Sequence, residues 1–310
     1  MLFSLLALAA LALVVLAPSW GPGTHLEYSD RLWRRRREVL PHDKALLLGE
    51  ERAAFAYGSL AADLIHFKTF GGHYNHCHRW TIVDEMLELA TAPAEEAFAF
   101  GYLSHLAADT IAHNHFVPYH LARYGRSAKG LGHLYWEVTA DRFVDQARWQ
   151  EMGALKSDRS LGRLDELVHR TVERTILPRG ANKVLFQHVL LSGERDTWRT
   201  RIDRLQPLQS VRLTEGFLEE FRTAATERAV LALTPGGLDR LAHVDTNGIA
   251  AQGAAMDVVR QSGRSLLGLR GRTMGNDDVE RTAAGFLLGM ETPPEASGQP
   301  LWLPTSQRAS

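Results

Sequence analysis

The chain of 310 residues has a single cysteine, Cys77, so no disulfide can form within it and a four-cysteine zinc site is excluded. Neither charge is in surplus. The 35 Lys and Arg against 36 Asp and Glu leave a formal net charge of -1, which gives no general attraction for polyanions, so any specificity must come from a site. Convincing period-two runs of β-branched residues are missing, and so are repeats of fixed period, which argues against sheet architectures and solenoids. Long apolar runs are scarce too: the one that stands out is residues 2–17, LFSLLALAALALVVLA.

That run is followed by the small residues of Ala17-Pro18-Ser19, and the pattern reads as a secretory signal cleaved after Ser19. The expected location is secreted or periplasmic. Because no Lys or Arg precedes the apolar run, an uncleaved membrane anchor is the alternative, although about 20 residues are needed to span a bilayer comfortably.

What the chain does have is helical spacing. A hydrophobic content of 45% is enough for a sizeable core, and Ala- and Leu-rich stretches with helical period recur at about 50–62, 80–91, 94–113, 132–149, 161–177, 212–233, 248–268 and 278–290. The fold class expected is all-α. Thr24-His25-Leu26-Glu27 has the form of a capping box, placing the start of the first helix at His25 and its end at Leu40, before Pro41. Arg34 to Arg37 read as a solvated face near a helix C-terminus, with contact to a lipid headgroup or phosphate as the alternative. Residues 150–290 are read as helices that buttress the first half, with no chemistry of their own, and 291–310 as a flexible tail.

Nine of the 14 histidines lie between His66 and His133, and neutral imidazole is the commonest protein ligand of zinc. In Phe100 to Phe116, the residues His105, Asp109 and His113 recur every four positions, so they share one stripe of a helix. Apolar neighbours such as Leu106, Ala108 and Ile111 mark that stripe as buried, where an unpaired carboxylate is expensive, and a metal is the partner that fits all three. A second stripe runs through His133, Glu137 and Asp141: the first two make a ligand pair, and Asp141 reads as an outer carboxylate or an ion-pair partner. Asp63 closes another apolar run, and His73, His76 and His78 share a loop in GGHYNHCHRW.

These residues resemble the zinc-dependent phospholipase C superfamily, which also includes single-strand-specific zinc nucleases. The resemblance runs from about Trp20 to Asp145 and is most specific in Trp20-Gly-Pro-Gly-Thr-His25, His105-x3-Asp109 and His133-x3-Glu137. It implies a single all-helical catalytic domain over 20–290, a bundle around three zinc ions with its ligands within 20–141. By that resemblance, Asp63, His78 or His76, His105 and Asp109 would hold one zinc, and His133, Glu137 and His113 or His115 a second. The third would be held by the amino terminus and carbonyl of Trp20, freed by signal cleavage, with His25 and Asp109. The implied activity is phosphoric diester hydrolysis, foremost of phospholipids, by a hydroxide that bridges the metals, with Asp63 as ligand and possible general base. It also implies transient contact with a membrane surface. A single-strand nuclease or nucleotidase using the same site is the runner-up, and a non-catalytic metal-binding helical protein the reading from another class.

Overall fold

The computed structural model describes residues 21–64, 77–125, 136, 139–171, 213–263 and 273–291. Every regular element among them is helical, and none is long and apolar enough to cross a membrane. In chain order they are α1 (Pro22–Val39), α2 (His42–Glu50), α3 (Arg52–Ala61), α4 (Trp80–Leu89), α5 (Pro93–Ile111), α6 (Val117–Tyr124), α7 (Gln146–Ser157), α8 (Leu164–Thr171), α9 (Glu215–Leu233), α10 (Gly237–Leu241), α11 (Ile249–Gln261) and α12 (Asn276–Gly285). The expected signal at 1–19, Trp20, His76, His133, Glu137 and the expected tail beyond Glu291 lie outside the described residues.

The all-α expectation holds, and most periodic stretches are helices within a few residues. Two differences have local causes. The first helix begins at Pro22, with Pro at a position where its missing N–H costs nothing, so Thr24 lies inside the helix rather than at its cap. The expected helix at 132–149 is interrupted: Asp141–Phe143 form a 3-10 turn, Val144 is extended, and Asp145 caps α7 by accepting from the Arg148 N–H at 2.9 Å.

The buried interior forms two clusters. One gathers Leu32, Leu48, Phe55, Val83, Phe98 and Leu233; the other gathers Phe116, Trp136, Leu218, Phe221 and Phe286. The 19-residue α5 runs through both, its buried residues passing from the first cluster at Ala107 to the second at Ala108. Asp109 therefore sits at the border of two cores. A helix buried nearly all round is central by necessity, and α5 packs against α3 on one side and α9 on another.

The contact with α3 is a backbone crossing. A Cβ on Gly58 would lie 2.0 Å from the Phe98 carbonyl oxygen, and one on Gly101 would lie 2.0 Å from that of Phe55. Neither helix has room for a side chain there.

The basic run on α1 is tied down. Arg34 Nε donates to Asp30 at 2.7 Å, Arg35 pairs with Glu227 on α9, and Arg36 stacks on Trp33 while donating to the Ala45 carbonyl. The buried Asp30 also binds Arg52 on α3 and Arg148 on α7, at 3.1 and 2.8 Å. Arg34 and Arg35 form ion pairs with side chains still 68% and 43% exposed, in keeping with a solvated face, while Arg36 is held by the Trp33 ring and a backbone carbonyl.

Gly101→Ala tests the crossing. Overpacking of this kind costs about 1–3 kcal/mol, and here the atom in the way is backbone. We expect a loss of at least about 2 kcal/mol in denaturant unfolding, together with reduced zinc content. A stable variant with full zinc would refute the importance of the crossing.

Candidate metal centre

Just past the crossing, α3 tightens into the 3-10 turn Ala62–Leu64, which carries Asp63. One turn above Gly101, α5 carries His105, whose Nδ1 donates to the Ser59 carbonyl of α3 at 2.8 Å. A carbonyl can only accept, so the proton is on Nδ1 and Nε2 carries the lone pair in the neutral ring. That Nε2 lies 3.2 Å from Asp109 Oδ2, 3.9 Å from Asp63 Oδ1 and 3.1 Å from His78 Nε2.

His78 enters from the segment before α4. Its Nε2 is 2.9 Å from Asp109 Oδ2 and 3.6 Å from Asp63 Oδ1, while its Nδ1 is 3.3 Å from the Cys77 sulfur. His25 comes from the first turn and a half of α1 and stacks on His105, with ring centroids 3.8 Å apart and planes 14° from parallel. Its Nε2 is 3.4 Å from Asp109 Oδ1. The Asp109 carboxylate thus turns one oxygen to His25 and the other to His78 and His105.

Two overlapping groups with metal-ligand spacing result: His25, His105 and Asp109, and Asp63, His78 and His105, all buried. The chemistry of the donors fits zinc, which takes imidazole nitrogen and carboxylate oxygen. A second observation points the same way. Both ring nitrogens of His25 and both carboxylate oxygens of Asp109 are buried without a hydrogen-bond partner, and buried polar groups left in that condition cost roughly 1–3 kcal/mol each, more when charged.

Electrostatics sorts the members. Burial lowers the pKa of His25, and the neighbouring His105 lowers it further. Burial opposes protonation of His105 as well, but the carboxylates of Asp109 and Asp63 outweigh it and raise that ring above the ordinary imidazole value. Asp109 is pushed up by burial and pulled well below the usual carboxylate range by His105 and His113.

The helix of His105 and Asp109 does not continue unchanged to His113. Residues Ala112–Phe116 form one turn of π-helix, a rare element frequent at functional sites. His113 donates from Nδ1 to the Thr246 carbonyl at 2.6 Å, and it helps hold the Asp109 carboxyl below its ordinary pKa. His115 donates from Nδ1 to the Phe286 carbonyl at 2.7 Å, and its pKa is lowered to about 4 by burial. Neither is in the two groups of His25, Asp63, His78, His105 and Asp109 just described.

Among the described residues, Asp141 orients no imidazole. Its buried carboxylate accepts from the backbone N–H of Gly23 at 3.2 Å and of Thr24 at 2.8 Å, and from the Thr24 hydroxyl. It caps α1 from 117 residues away, filling the space a Cβ on Gly21 would take. This contact, rather than a capping box within 24–27, satisfies the first amides of the helix and fixes where His25 enters the site.

Residues 24–177, about half of the chain, match the family of zinc-dependent phospholipase C. The chain belongs to that family. No curated protein and no solved structure matches the chain. Membership makes it a zinc-dependent phosphoric diester hydrolase, with a phospholipid as the substrate that the family implies. The match takes in His25, Asp63, His78, His105 and Asp109 and ends well before Thr246 and Phe286, whose carbonyls hold His113 and His115. Sequence reasoning missed those partners, along with the Ser59 carbonyl. The pair Asn247-Gly248 is a turn signal, yet nothing local says what that turn touches.

His120 is a buried histidine of a different kind. It donates to the Phe116 carbonyl within its own helix and is packed among Phe116, Trp136, Tyr119 and Phe217, and burial lowers its pKa to about 3. A folded pKa below the unfolded value means that the unfolded chain takes up a proton the folded chain refuses. The stability tied to the neutral ring is therefore complete above pH 6.5 and falls by about 1.4 kcal/mol per unit as pH drops from there toward 3. Chemical denaturation of the metal-free protein from pH 7 to 4 should show a shallower acid loss for His120→Phe than for the wild type. Parallel pH profiles would show that His120 titrates freely.

Proposed function

We propose that the chain hydrolyses the phosphodiester of a phospholipid, releasing diacylglycerol and a phosphorylated headgroup, at a centre of three zinc ions. The observation that carries this reading is the split of Asp109 between His25 on one oxygen and His78 and His105 on the other, which is the arrangement of a carboxylate shared by two metals. In this reading Asp63, His78 and His105 hold one zinc with Asp109, and His25 holds another with Asp109 and the amino terminus and carbonyl of Trp20. His133 and Glu137 hold the third with His113 or His115; His113 is preferred because it follows Asp109 by four residues, about one helical turn. His76 is left as the alternative to His78.

Zinc at such a centre supplies Lewis acidity toward phosphate oxygens and lowers the pKa of a water toward neutrality. The protein's own residues do the rest. Asp63, with its oxygen 3.6 Å from His78 and slightly exposed, takes the proton of the attacking water as a new P–O bond forms. The bond from phosphorus to the glycerol oxygen breaks, and that oxygen leaves as an alcohol after taking up a proton. His105 is held to one tautomer by Ser59, so its lone pair stays aimed at the centre. The apolar surround of α5 keeps bulk water away from the carboxylates and strengthens their field.

Secretion or export to the periplasm, with transient contact at a membrane surface, belongs to the same reading; its basis is the apolar segment 2–17 and the lipid substrate. The test is zinc analysis by mass spectrometry with parallel assays on a phosphatidylcholine analogue and on single-stranded DNA. About three zincs and cleavage of the lipid are expected. Preference for DNA would move the chain to the nuclease reading, and activity on neither would sink both. Asp109→Asn should lose more than one zinc, and a variant with full metal would refute the shared carboxylate.

A further inference from the structure

Five residues between α10 and α11, Val244 to Gly248, touch both of the segments that deliver histidines from outside the α3–α5 crossing. The buried Thr246 receives the His113 Nδ1 proton on its carbonyl at 2.6 Å, and its hydroxyl donates to the backbone carbonyl of His78. The side-chain amide of Asn114 donates to the Asp245 carbonyl at 2.7 Å, and the Trp80 indole donates to the Val244 carbonyl at 2.9 Å. Gly248 lies so close to the π turn that a Cβ on it would stand 2.1 Å from the His113 carbonyl oxygen, and its φ of +58° is one that a side chain would also resist.

The loop is itself held in shape. The Asp245 carboxylate accepts from the N–H of Asn247 at 2.9 Å and of Ile249 at 2.7 Å, which closes the turn before α11. It is thus a fixed strap, and it binds His113 on the nitrogen that leaves Nε2 with the lone pair.

We propose that this strap, through Thr246 and Gly248, positions His113 and His78 and thereby sets the zinc affinity of the centre, so that the part of the chain beyond the family match completes the site. Thr246 and Gly248 act through other residues and are positioning residues. The proposal rests on the reading of His113 as a ligand.

The test is competition between the full-length, metal-free protein and a zinc chelator of known affinity, backed by the visible spectrum of the cobalt-loaded form. Gly248→Ala should weaken zinc about 10- to 100-fold, as loss of an orienting partner typically does, and should alter the cobalt bands. In a His113→Ala background the same substitution should cost nothing further. Wild-type affinity in Gly248→Ala, or an equal loss in both backgrounds, would overturn the proposal. His113→Ala binding zinc as the wild type does would overturn the ligand reading itself, and the proposal with it. If Gly248→Ala does not fold, Thr246→Val carries the test. It keeps the glycine and removes only the hydroxyl on the His78 carbonyl, so affinity should fall in the wild-type background and not in His78→Ala; an unchanged affinity would overturn the strap.

Discussion

The candidate metal centre depends on the crossing of α3 and α5 at Gly58 and Gly101. Each glycine is at a helix-interior position where it costs about 1 kcal/mol relative to alanine, and each leaves no room for even a methyl group against the facing backbone. With the two backbones in contact, the Ser59 carbonyl comes within 2.8 Å of the His105 ring one turn along. A crossing spaced by side chains would lie farther apart, since ordinary helix pairs sit 8–10 Å axis to axis. Asp63, just past the end of α3, would then stand off from the imidazoles it now faces at 3.6 and 3.9 Å.

From the same crossing outward, the rings are oriented by a repeated device. His105, His113 and His115 each give their Nδ1 proton to a backbone carbonyl, from Ser59, Thr246 and Phe286 in turn. Backbone acceptors suit this task because their positions are set by the fold and survive side-chain motion. They also come from three different parts of the chain, which makes the site a product of the whole tertiary structure although its candidate ligands cluster in the first half.

That division marks what could be read from the sequence. The helical class, the central helix and the grouping of His105 with Asp109 were legible because a four-residue recurrence in an apolar stretch is a local property of helix geometry. The start of α1 was not. Thr24-x-x-Glu27 has the pattern of a capping box, but Pro22 favours an earlier start and the capping carboxylate comes from Asp141, 117 residues on. The π turn was equally hidden, since spacing alone cannot separate His113 from His115 when the acceptors that hold them lie more than 130 and 170 residues away. The solvated face expected at Arg34 is there, with Asp30 one turn back as its partner, but the pairing of Arg35 was hidden because Glu227 lies on a helix far along the chain.

The charge balance of the buried group argues for a cation without appeal to any relative. Asp63 and Asp109 bring two carboxylates into a region that is almost fully buried, and their field is strong enough to raise the pKa of His105 against its own desolvation. The stacked His25 cannot share that role. Its ring lies 3.8 Å from His105, burial and that neighbour both lower its pKa, and neither of its nitrogens has a hydrogen-bond partner. A proton on His105 would answer only one of the two carboxylates, and the Asp109 oxygens gain no hydrogen bond from either stacked ring. A second proton on the stack would set two like charges in contact, whereas a divalent cation between ring and carboxylate meets the nitrogen lone pairs and the oxygens at once. Burial and pairing thus favour a metal on residues that lie within the stretch the family match covers.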